Sequence, residues 1–365
     1  MITITKYLEK VFEKFKEECD KGTVSMKELK DGMDSIKGNN PRLGPNGESI
    51  YSNSTVQRLY LLKYAYEYGF EYLSMCNELI EDFKDKAEIS VVSLGCGTML
   101  DYWALAYMLD KKNMSKPVVK YQGIDVVEWE HSLETEARAR DMVKLFPDTF
   151  EEFFNKQDNK FNTHDVYFFP KSISEFSDEK EKSDIGVLLE NLSNIEKDSI
   201  YFCITLRKKK EVGGGDVRTV QKIIDKLEEP ESGFCVKELK CITDTENTIE
   251  VLKEKGLKKI EALQKKEGLQ NKDILIRLGA NHKISDTDIA KSLNYDNISN
   301  EDPVNNYIKA LSKKCKNNSK EDLCNGCEES DCPCKMREEQ RMTNTKFICD
   351  LIIKFEKRGC HDSKC

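Results

Sequence analysis

The residues best suited to hold a ligand are two glycines in a short turn, Gly95-Cys96-Gly97-Thr98. Gly95 permits a sharp bend, and Gly97 lets a ligand approach the main chain because no Cβ stands in the way. Asp125 is the second candidate group, because a carboxylate at a strand tip can accept hydrogen bonds from both hydroxyls of a ribose. The turn and the acid together predict a nucleotide site.

A strand, a helix and a second strand are needed to bring these groups together. The apolar run Ile89–Leu94 predicts the first strand, Leu100–Leu109 a helix, and Val118–Ile124 the strand that ends at Asp125. This is the layout of a nucleotide-binding βαβ unit, in which free N–H groups at the helix start face the ligand. We therefore expect an α/β fold with a Rossmann-like doubly wound sheet. The alternative is a βα turn that binds no nucleotide.

The residues around the turn indicate which nucleotide it would bind. A dinucleotide fingerprint has a third glycine where this chain has Leu100. The segment Val91–Thr98 instead resembles motif I of the class I S-adenosylmethionine (SAM) dependent methyltransferases, and Tyr121–Asp125 resembles the acidic position that follows it. The chain departs from that family at Ser93, where an acid is usual, and at Met99, where a further glycine is usual. Both departures touch the methionine end of the cofactor site.

The resemblance extends over positions 85–210 and implies a SAM-dependent methyltransferase. It implies that the cofactor contacts are Gly95, Cys96, Gly97, Thr98, Asp125 and Val126. Helices just ahead of motif I commonly cover the cofactor in this family, so the segment before Ile89 is expected to act as a lid.

In the resembled family the transferring methyl group lies at the carboxyl end of the fourth strand, here the apolar run Val166–Phe169. The resemblance makes Pro170, Lys171 and Ser172 candidate substrate contacts. Lys171 could anchor an acceptor phosphate, and His164 and Asp165 are further candidate catalytic groups, although Asp165 could simply cap the strand. The Asn/Asp-Pro-Pro-aromatic motif of adenine-N6 methyltransferases is missing here, so that chemistry is not supported.

Two segments outside these motifs could contact an acceptor. Six tyrosines cluster before the first strand: Tyr51, Tyr60, Tyr64, Tyr66, Tyr68 and Tyr72. They could stack on a planar substrate such as a base, but their spacing favours the core edge of an amphipathic helix. The basic run Arg207–Lys210, with Gly213–Gly215 close behind, predicts either a phosphate-contacting loop or a solvated hairpin.

A cysteine cluster near the end of the chain predicts a metal site. Cys324, Cys327, Cys332 and Cys334 can close a tetrahedral site locally, as structural zinc requires. Further ligands could come from Cys315, Cys349, Cys360, His361 and Cys365. Free thiols and an iron–sulfur cluster are the alternatives, although the spacing fits neither common ferredoxin pattern. Pro333-Cys334 matches the nucleophile pair of cytosine-C5 methyltransferases but lies inside the cluster, so a ligand is the better interpretation.

Periodicity also predicts elements away from the motifs. Residues 1–37 and a segment that Ser54 would cap are expected to be helical. Further helices are expected after Trp129 (with His131 near the start), at 185–195 and at 247–266, and strands at 199–206, 233–239 and 273–278. The predicted division is a helical cap (1–88), a SAM-binding core (89–280) and a cysteine-rich, zinc-like module (281–365).

Composition limits the classes of function. The chain has 365 residues, 34% of them charged, and a net charge of −8, which describes a soluble protein and argues against one that coats nucleic acid. Fourteen cysteines without a signal-peptide pattern indicate thiols and metal sites in the cytoplasm, not a disulfide framework. No apolar run is long enough to cross a bilayer.

Three hypotheses for function follow. The first is a SAM-dependent methyltransferase whose acceptor is nucleic acid, with RNA favoured because of the basic loop and the zinc-like tail. The second is the same enzyme acting on a protein or small molecule, which suits the acidic net charge better. The third is a methyltransferase-like binding module that has lost catalysis, as Ser93 and Met99 would allow. The sequence leaves the oligomeric state open.

Overall fold

The first predicted strand lies in the interior of a large sheet. The computed structural model describes residues 4–24, 28, 32, 49–114, 116–156, 161–177, 182–207, 213–242, 252–253, 256–259, 263–266 and 348–358. Its strands are β1 (Glu88–Leu94), β2 (Val118–Ile124), β3 (Met142–Phe146), β4 (Val166–Phe169), β5 (Ser199–Arg207), β6 (Phe234–Ile242), β7 (Leu263–Lys266) and β8 (Ile348–Lys357). They form one eight-stranded sheet in the order β3-β2-β1-β4-β5-β8-β6-β7.

The strand order determines where this sheet can bind a ligand. Strands β1 to β5 are parallel, and the chain runs outward from β1 to β3 and then returns to β4 on the other side. That reversal beside β1 is the topological switch point at which doubly wound sheets bind ligands. The Rossmann-like α/β prediction is confirmed by this order, with one departure from an all-parallel sheet: β8 runs antiparallel to β5 and β6.

Helices cover both faces of the sheet. They are α1 (Ile4–Asp20), α2 (Ser54–Leu79), α3 (Leu100–Lys111), α4 (Phe150–Asn155), α5 (Lys182–Leu192) and α6 (Gly213–Leu227), with short 3-10 turns at Ile50–Ser52, Ile80–Phe83, Leu133–Glu136, Phe161–Thr163 and Glu175–Ser177. One core joins α1, α2 and α3 to the face of β1 that carries Val91, and the other joins α4, α5 and α6 to the face that carries Val92. Side chains alternate between the faces of a strand, so each face has its own core.

Several predicted elements differ from the observed ones. The first helix ends at Asp20, and α2 is capped by the Asn53 side chain instead of Ser54. The helix expected after Trp129 is absent from the described residues there, which hold the turn Leu133–Glu136 and the edge strand β3. Met142 and Lys144 on β3 are exposed, so the strand lacks the apolar run that would have revealed it.

The second half of the chain brings further corrections. Residues 263–266, expected in a helix, form β7, while the predicted strand at 273–278 lies outside the described residues. Gly213 to Gly215 open α6 instead of forming a hairpin, and Lys208 to Val212 lie outside the described part. Ile348–Lys357, assigned from sequence to the cysteine-rich module, is β8 and lies between β5 and β6.

Candidate functional site

The glycine turn adopts a backbone that other residues would resist. Gly95 has φ +74°, and a Cβ built there would lie 2.6 Å from the Ser172 Cβ. Its N–H donates to the Ile124 carbonyl at 2.7 Å, and the N–H of Cys96 donates to the same oxygen at 3.1 Å. The turn is therefore fixed against the end of β2 on one side and the loop after β4 on the other. Only glycine fits at position 95.

Asp125 lies at the tip of β2 and holds the other half of the turn. One carboxylate oxygen accepts the Gly97 N–H at 2.8 Å, and the other accepts the Val127 N–H at 2.9 Å. Burial raises the pKa of Asp125, although these two N–H groups and the Trp129 indole oppose the rise. Each oxygen keeps a lone pair for a further donor. That Asp125 binds a ribose stays a prediction.

The other predicted cofactor residues surround this pair. Val126, directly after Asp125, has 63% of its surface exposed, which is unusual for a large apolar side chain in this molecule. Cys96 and Thr98 are buried in the turn, and burial raises the pKa of the Cys96 thiol well above its ordinary value. Cys96 is therefore a structural side chain and not a reactive thiol.

Met99, where the resembled family has a glycine, adopts the conformation of a glycine. Its φ is +66°, and it forms the N-cap of α3 without a side-chain hydrogen bond. The side chain is fully buried. The left-handed backbone at a bulky residue costs on the order of 1–3 kcal/mol, and the burial of the side chain in the core offsets it.

Asp101 provides a buried carboxylate near Ser93, where the family usually has an acid. The Tyr121 hydroxyl donates to the two oxygens of Asp101 at 3.0 and 3.1 Å. The Ser93 hydroxyl also faces this carboxylate. Burial raises the pKa of Asp101 to about 6, although the nearby Ser93 hydroxyl and hydrogen bonds from the Tyr102 N–H and Tyr121 oppose the rise. Asp101 was not predicted from the sequence, where its signal was a lone charge within the apolar stretch Leu100–Leu109.

A row of aromatic rings on α2 lies beside the turn. Tyr51 and Tyr60 pack on Trp129, with ring centroids 5.6 and 5.7 Å from the indole. The indole itself lies 3.9 Å from a Cβ built on Gly97. We call the tyrosine row the residues Tyr51, Tyr60, Tyr64, Tyr68 and Tyr72, which follow one another in ring contact. The Tyr66 side chain lies outside the described part.

Two alternatives were predicted for the tyrosines, namely a surface that stacks on a substrate and the core edge of a helix, and the row has features of both. Tyr72 is buried in the core, whereas the other four rings are partly exposed. The row therefore runs from the glycine turn inward along one side of α2. Trp129 contacts Tyr51 and Tyr60 and lies beside Gly97, so it joins the row to the turn.

The loop after β4 meets the glycine turn, as the substrate predictions required. The Ser172 hydroxyl donates to the Leu94 carbonyl, and Ser172 packs against Gly95. Lys171 has φ +64°, and its ammonium lies 2.9 Å from a Glu71 carboxylate oxygen and 3.2 Å from the centre of the Tyr68 ring. Pro170 precedes them at the end of β4. This loop, the turn and α2 thus form one site.

His164 and Asp165 lie at the opposite end of the sheet. Asp165 accepts the Ser90 N–H at 2.8 Å and the Ser90 hydroxyl at 2.7 Å, and Lys86 and Lys197 lie 2.8 and 3.3 Å from its other oxygen. Ser90 is five residues before Gly95 on an extended strand, a separation of roughly 16 Å. The prediction that these two residues stand beside the reacting end is therefore wrong: they precede a parallel strand and lie at its amino end.

A clamp of ion pairs holds the N-terminal helices over the site. Arg58 of α2 is buried and pairs with Glu18 of α1 and with Glu130, which also pairs with Lys14. The Tyr7 hydroxyl donates to the His131 carbonyl. Helices α1 and α2 therefore contact the segment after β2, which is the position expected of a lid.

The predicted metal ligands cannot be located. Cys315, Cys324, Cys327, Cys332, Cys334, Cys360, His361 and Cys365 lie outside the described residues, and of Cys349 only the backbone in β8 is described. Within the described ranges, no group of three or more His, Cys, Asp or Glu side chains could hold a metal ion. The zinc site stays a prediction. In the same ranges, no helix is long and apolar enough to span a membrane.

Similarity to known proteins is found among solved structures. No model of a known protein family matches the chain, and no curated protein matches it. Among solved structures it is similar to a Listeria monocytogenes protein assigned as a class I SAM-dependent methyltransferase, at 13% identity, TM-score 0.38, and coverage of 67% of this chain and 84% of that one.

Two further structures have methyltransferase names. Coclaurine N-methyltransferase with N-methylheliamine and S-adenosylhomocysteine (SAH) has 12% identity, TM-score 0.36, and coverage of 89% and 81% of the two chains. The plantazolicin methyltransferase BpumL with a substrate analogue and SAH has 10% identity, TM-score 0.32, and coverage of 97% and 99%. At these values the likenesses carry no argument about a reaction.

Proposed function

We propose that the chain is a SAM-dependent methyltransferase. The observation that carries this proposal is the contact between Asp125 and the Gly97 N–H at the switch point of the sheet. It joins a turn whose two glycines lack Cβ atoms to a carboxylate at the neighbouring strand tip, which is the arrangement that a nucleoside requires.

The residues of this site fit SAM in four places. The Asp125 carboxylate has lone pairs left for the ribose hydroxyls, and exposed Val126 offers an apolar surface to the adenine. The main chain at Gly97 allows close approach. At the other end, Asp101 presents a buried carboxylate to the ammonium of the methionine part, in place of the acid missing at Ser93. When bound, SAM supplies a methyl group already activated by its sulfonium.

The protein's own contribution is alignment and exclusion of water. Methyl transfer is an in-line displacement, so holding donor and acceptor in register supplies much of the acceleration. Arg58 holds helices α1 and α2 against Glu130 in the segment after β2, and we propose that the two helices cover the bound cofactor. Such a cover would exclude water, which strengthens each polar contact inside.

The nature of the acceptor is a separate matter. RNA was favoured from sequence because of the basic loop and the cysteine cluster, and both lie largely outside the described residues. The RNA acceptor and the zinc site therefore stay proposals. The alternative of a binding module without catalysis keeps the support of Ser93 and Met99, since neither residue matches the family.

Thermal unfolding with SAM, with SAH and with NADH tests the proposal. A ligand at about one hundred times its dissociation constant adds roughly 2.7 kcal/mol of stability, so SAM and SAH should raise the melting temperature and NADH should not. The variants Asp125→Ala and Gly97→Leu should stay folded and lose the shift. Normal SAM binding by both variants, or an equal shift with NADH, would contradict the assignment.

A further inference from the structure

A cation already lies in the site, and it belongs to the protein. The Lys171 ammonium is 3.2 Å from the centre of the Tyr68 ring and 2.9 Å from the Glu71 carboxylate. A ring face and a carboxylate are the two groups that recognise an organic ammonium. The stacked pair of Tyr64 and Tyr68, with planes 1° apart and centroids 5.2 Å apart, extends the aromatic surface next to it.

Other buried carboxylates accompany Glu71 in this part of the core. Glu71, Asp101 and Asp350 are all buried. Burial raises the pKa of Tyr72 well above its usual value, and negative charge on Glu71, Asp101 and Asp350 adds to the rise. Buried carboxylates need cationic or hydrogen-bonding partners, so this group favours a cation.

A second observation also points to a ligand. The Thr205 hydroxyl is 2% exposed and has no hydrogen-bond partner among the described residues. Thr205 pairs directly with Asp350 across β5 and β8, so the two side chains stand on the same face. That face carries the core with α2, so the free hydroxyl and the carboxylate face the layer that contains Glu71.

The lysine itself is held in a way that allows exchange. Lys171 has a left-handed backbone (φ +64°) in the loop after β4, and 18% of its side chain remains exposed. Glu71 and Tyr68, by contrast, belong to the long helix α2. The negative and aromatic half of the site is therefore rigid, whereas its cation sits on a flexible stem.

We propose that the methyl acceptor is a small organic amine, whose ammonium replaces that of Lys171 between Tyr68 and Glu71 and whose organic part packs on the tyrosine row. This inference rests on the proposed methyltransferase function and narrows it to one class of acceptor. It differs from the RNA acceptor predicted from sequence, because the described walls of the site are acidic and would repel phosphate.

The transfer balances without another reactant. The bound ammonium gives one proton to the Glu71 carboxylate, which leaves a neutral nitrogen with a lone pair. That nitrogen attacks the methyl carbon, a new N–C bond forms, and the S–C bond breaks with its electron pair remaining on sulfur. The products are the methylated ammonium and SAH, and Glu71 returns its proton to solvent.

The test measures amine binding to the full chain loaded with SAH, and methyl transfer from tritium-labelled SAM. The probes are phenethylamine, tyramine and putrescine, with phenethyl alcohol as the neutral control for shape. If Lys171 occupies the site nine-tenths of the time, Lys171→Ala should strengthen amine binding about tenfold. Lys197→Ala is the matched control, since Lys197 also pairs with a buried carboxylate but at the far end of the sheet.

Removal of the negative partner should act in the opposite direction. Glu71→Gln keeps the shape and loses the charge, so amine binding should weaken about ten- to hundredfold while SAH binding stays unchanged. If this variant fails to fold, Tyr68→Phe and Tyr68→Leu replace it: the phenyl ring should retain amine binding, and leucine should lose it.

The outcomes separate the two levels of the proposal. SAH binding with amine binding that depends on Lys171 and Glu71 supports both. SAH binding with no amine effect in any variant, or with transfer to a short single-stranded RNA instead, overturns the amine acceptor and leaves the methyltransferase standing. Failure to bind SAM and SAH overturns both.

Discussion

The two ends of the sheet use the same residue type in opposite ways. At the amino end, Asp165 is buried, yet bonds from Lys86 and Ser90 outweigh burial and hold its pKa below the usual range. At the carboxyl end, burial outweighs the hydrogen bonds to Asp125 and raises its pKa. The nearby Asp101 is raised further, to about 6.

The opposite pKa shifts distinguish a carboxylate that stabilises the fold from carboxylates that we expect to bind a ligand. A carboxylate whose charge is fully compensated stabilises the fold, whereas one kept charged against burial costs free energy until a ligand compensates it. The same end of the sheet also carries the left-handed residues Gly95, Met99 and Lys171. We therefore expect variants at the amino end to change stability alone, and variants at the carboxyl end to change binding.

The largest effect is expected at the glycine turn. Gly95→Ala would force a Cβ to 2.6 Å from Ser172 at φ +74°, so it should cost about 3 kcal/mol or more and abolish SAM binding. Gly186→Ala is the matched control, since Gly186 lies in α5 with open space around it. Alanine there should raise the free energy of unfolding by about 0.5–1 kcal/mol. Chemical denaturation and calorimetry check both. Equal effects of the two changes would contradict the geometry.

The second prediction compares substitutions of Asp165 and Asp125. Asp165→Asn replaces an acceptor of two ammonium groups by an amide, so unfolding should become easier by about 2 kcal/mol, a figure reduced because Lys86 is partly exposed. SAM binding should be unchanged. Asp125→Asn should change stability by less than about 1 kcal/mol and weaken SAM binding strongly. Urea unfolding and calorimetry on both variants provide the measurement, and the reverse assignment of losses would refute the comparison.

Acid sensitivity should come from the amino end. Burial lowers the pKa of His164 to about 4, against an opposing effect of Asp165. Its contribution to stability is complete above pH 6.5 and is lost as the pH falls toward 4, with about 2 kcal/mol gone at pH 5. Between pH 7 and pH 5, the free energy of unfolding of His164→Gln should therefore fall by about 2 kcal/mol less than that of the wild type. Urea titrations at both pH values measure this. An unchanged pH profile would show that His164 is protonated when folded.

The smallest effect has the opposite sign and lies at the carboxyl end. Burial raises the pKa of Asp101 to about 6. The contribution of this carboxyl group to stability is therefore complete when the pH is below the ordinary pKa of an aspartate, and it is lost as the pH rises through 6. Asp101→Asn should stabilise the protein by about 1 kcal/mol at pH 7 and weaken SAM binding about tenfold. Urea unfolding at pH 7 and near pH 4 checks this, and destabilisation at pH 7 would mean a structural role.

The local part of the fold was predictable, and the reason is periodicity. Strand β1, α3 and β2 were predicted within two residues of their observed ends, because each has an apolar pattern of its own. Strand β3 was missed because it is a half-exposed edge strand. Strand β8 has an apolar pattern, but its place between β5 and β6 depends on pairing with segments more than one hundred residues away.

The candidate site was predictable only in part. Gly95, Gly97, Asp125 and the loop at Lys171 were identified from order along the chain, and they do meet. His164 and Asp165 were assigned to the wrong end, although their position before a parallel strand already indicated it. Glu71, Asp101 and Thr205 had no motif to reveal them.

The sequence by itself determined the proposed cofactor site, since a glycine turn and an acid at a strand tip are local features whose spacing alone specifies their geometry. Tertiary structure alone decided the acceptor half. Helix α2, the loop after β4, β5 and β8 come from distant parts of the chain, and only their packing brings Tyr68, Glu71 and Lys171 into one site. Burial also raises the pKa of carboxylates such as Asp101, and burial is a property of the folded chain.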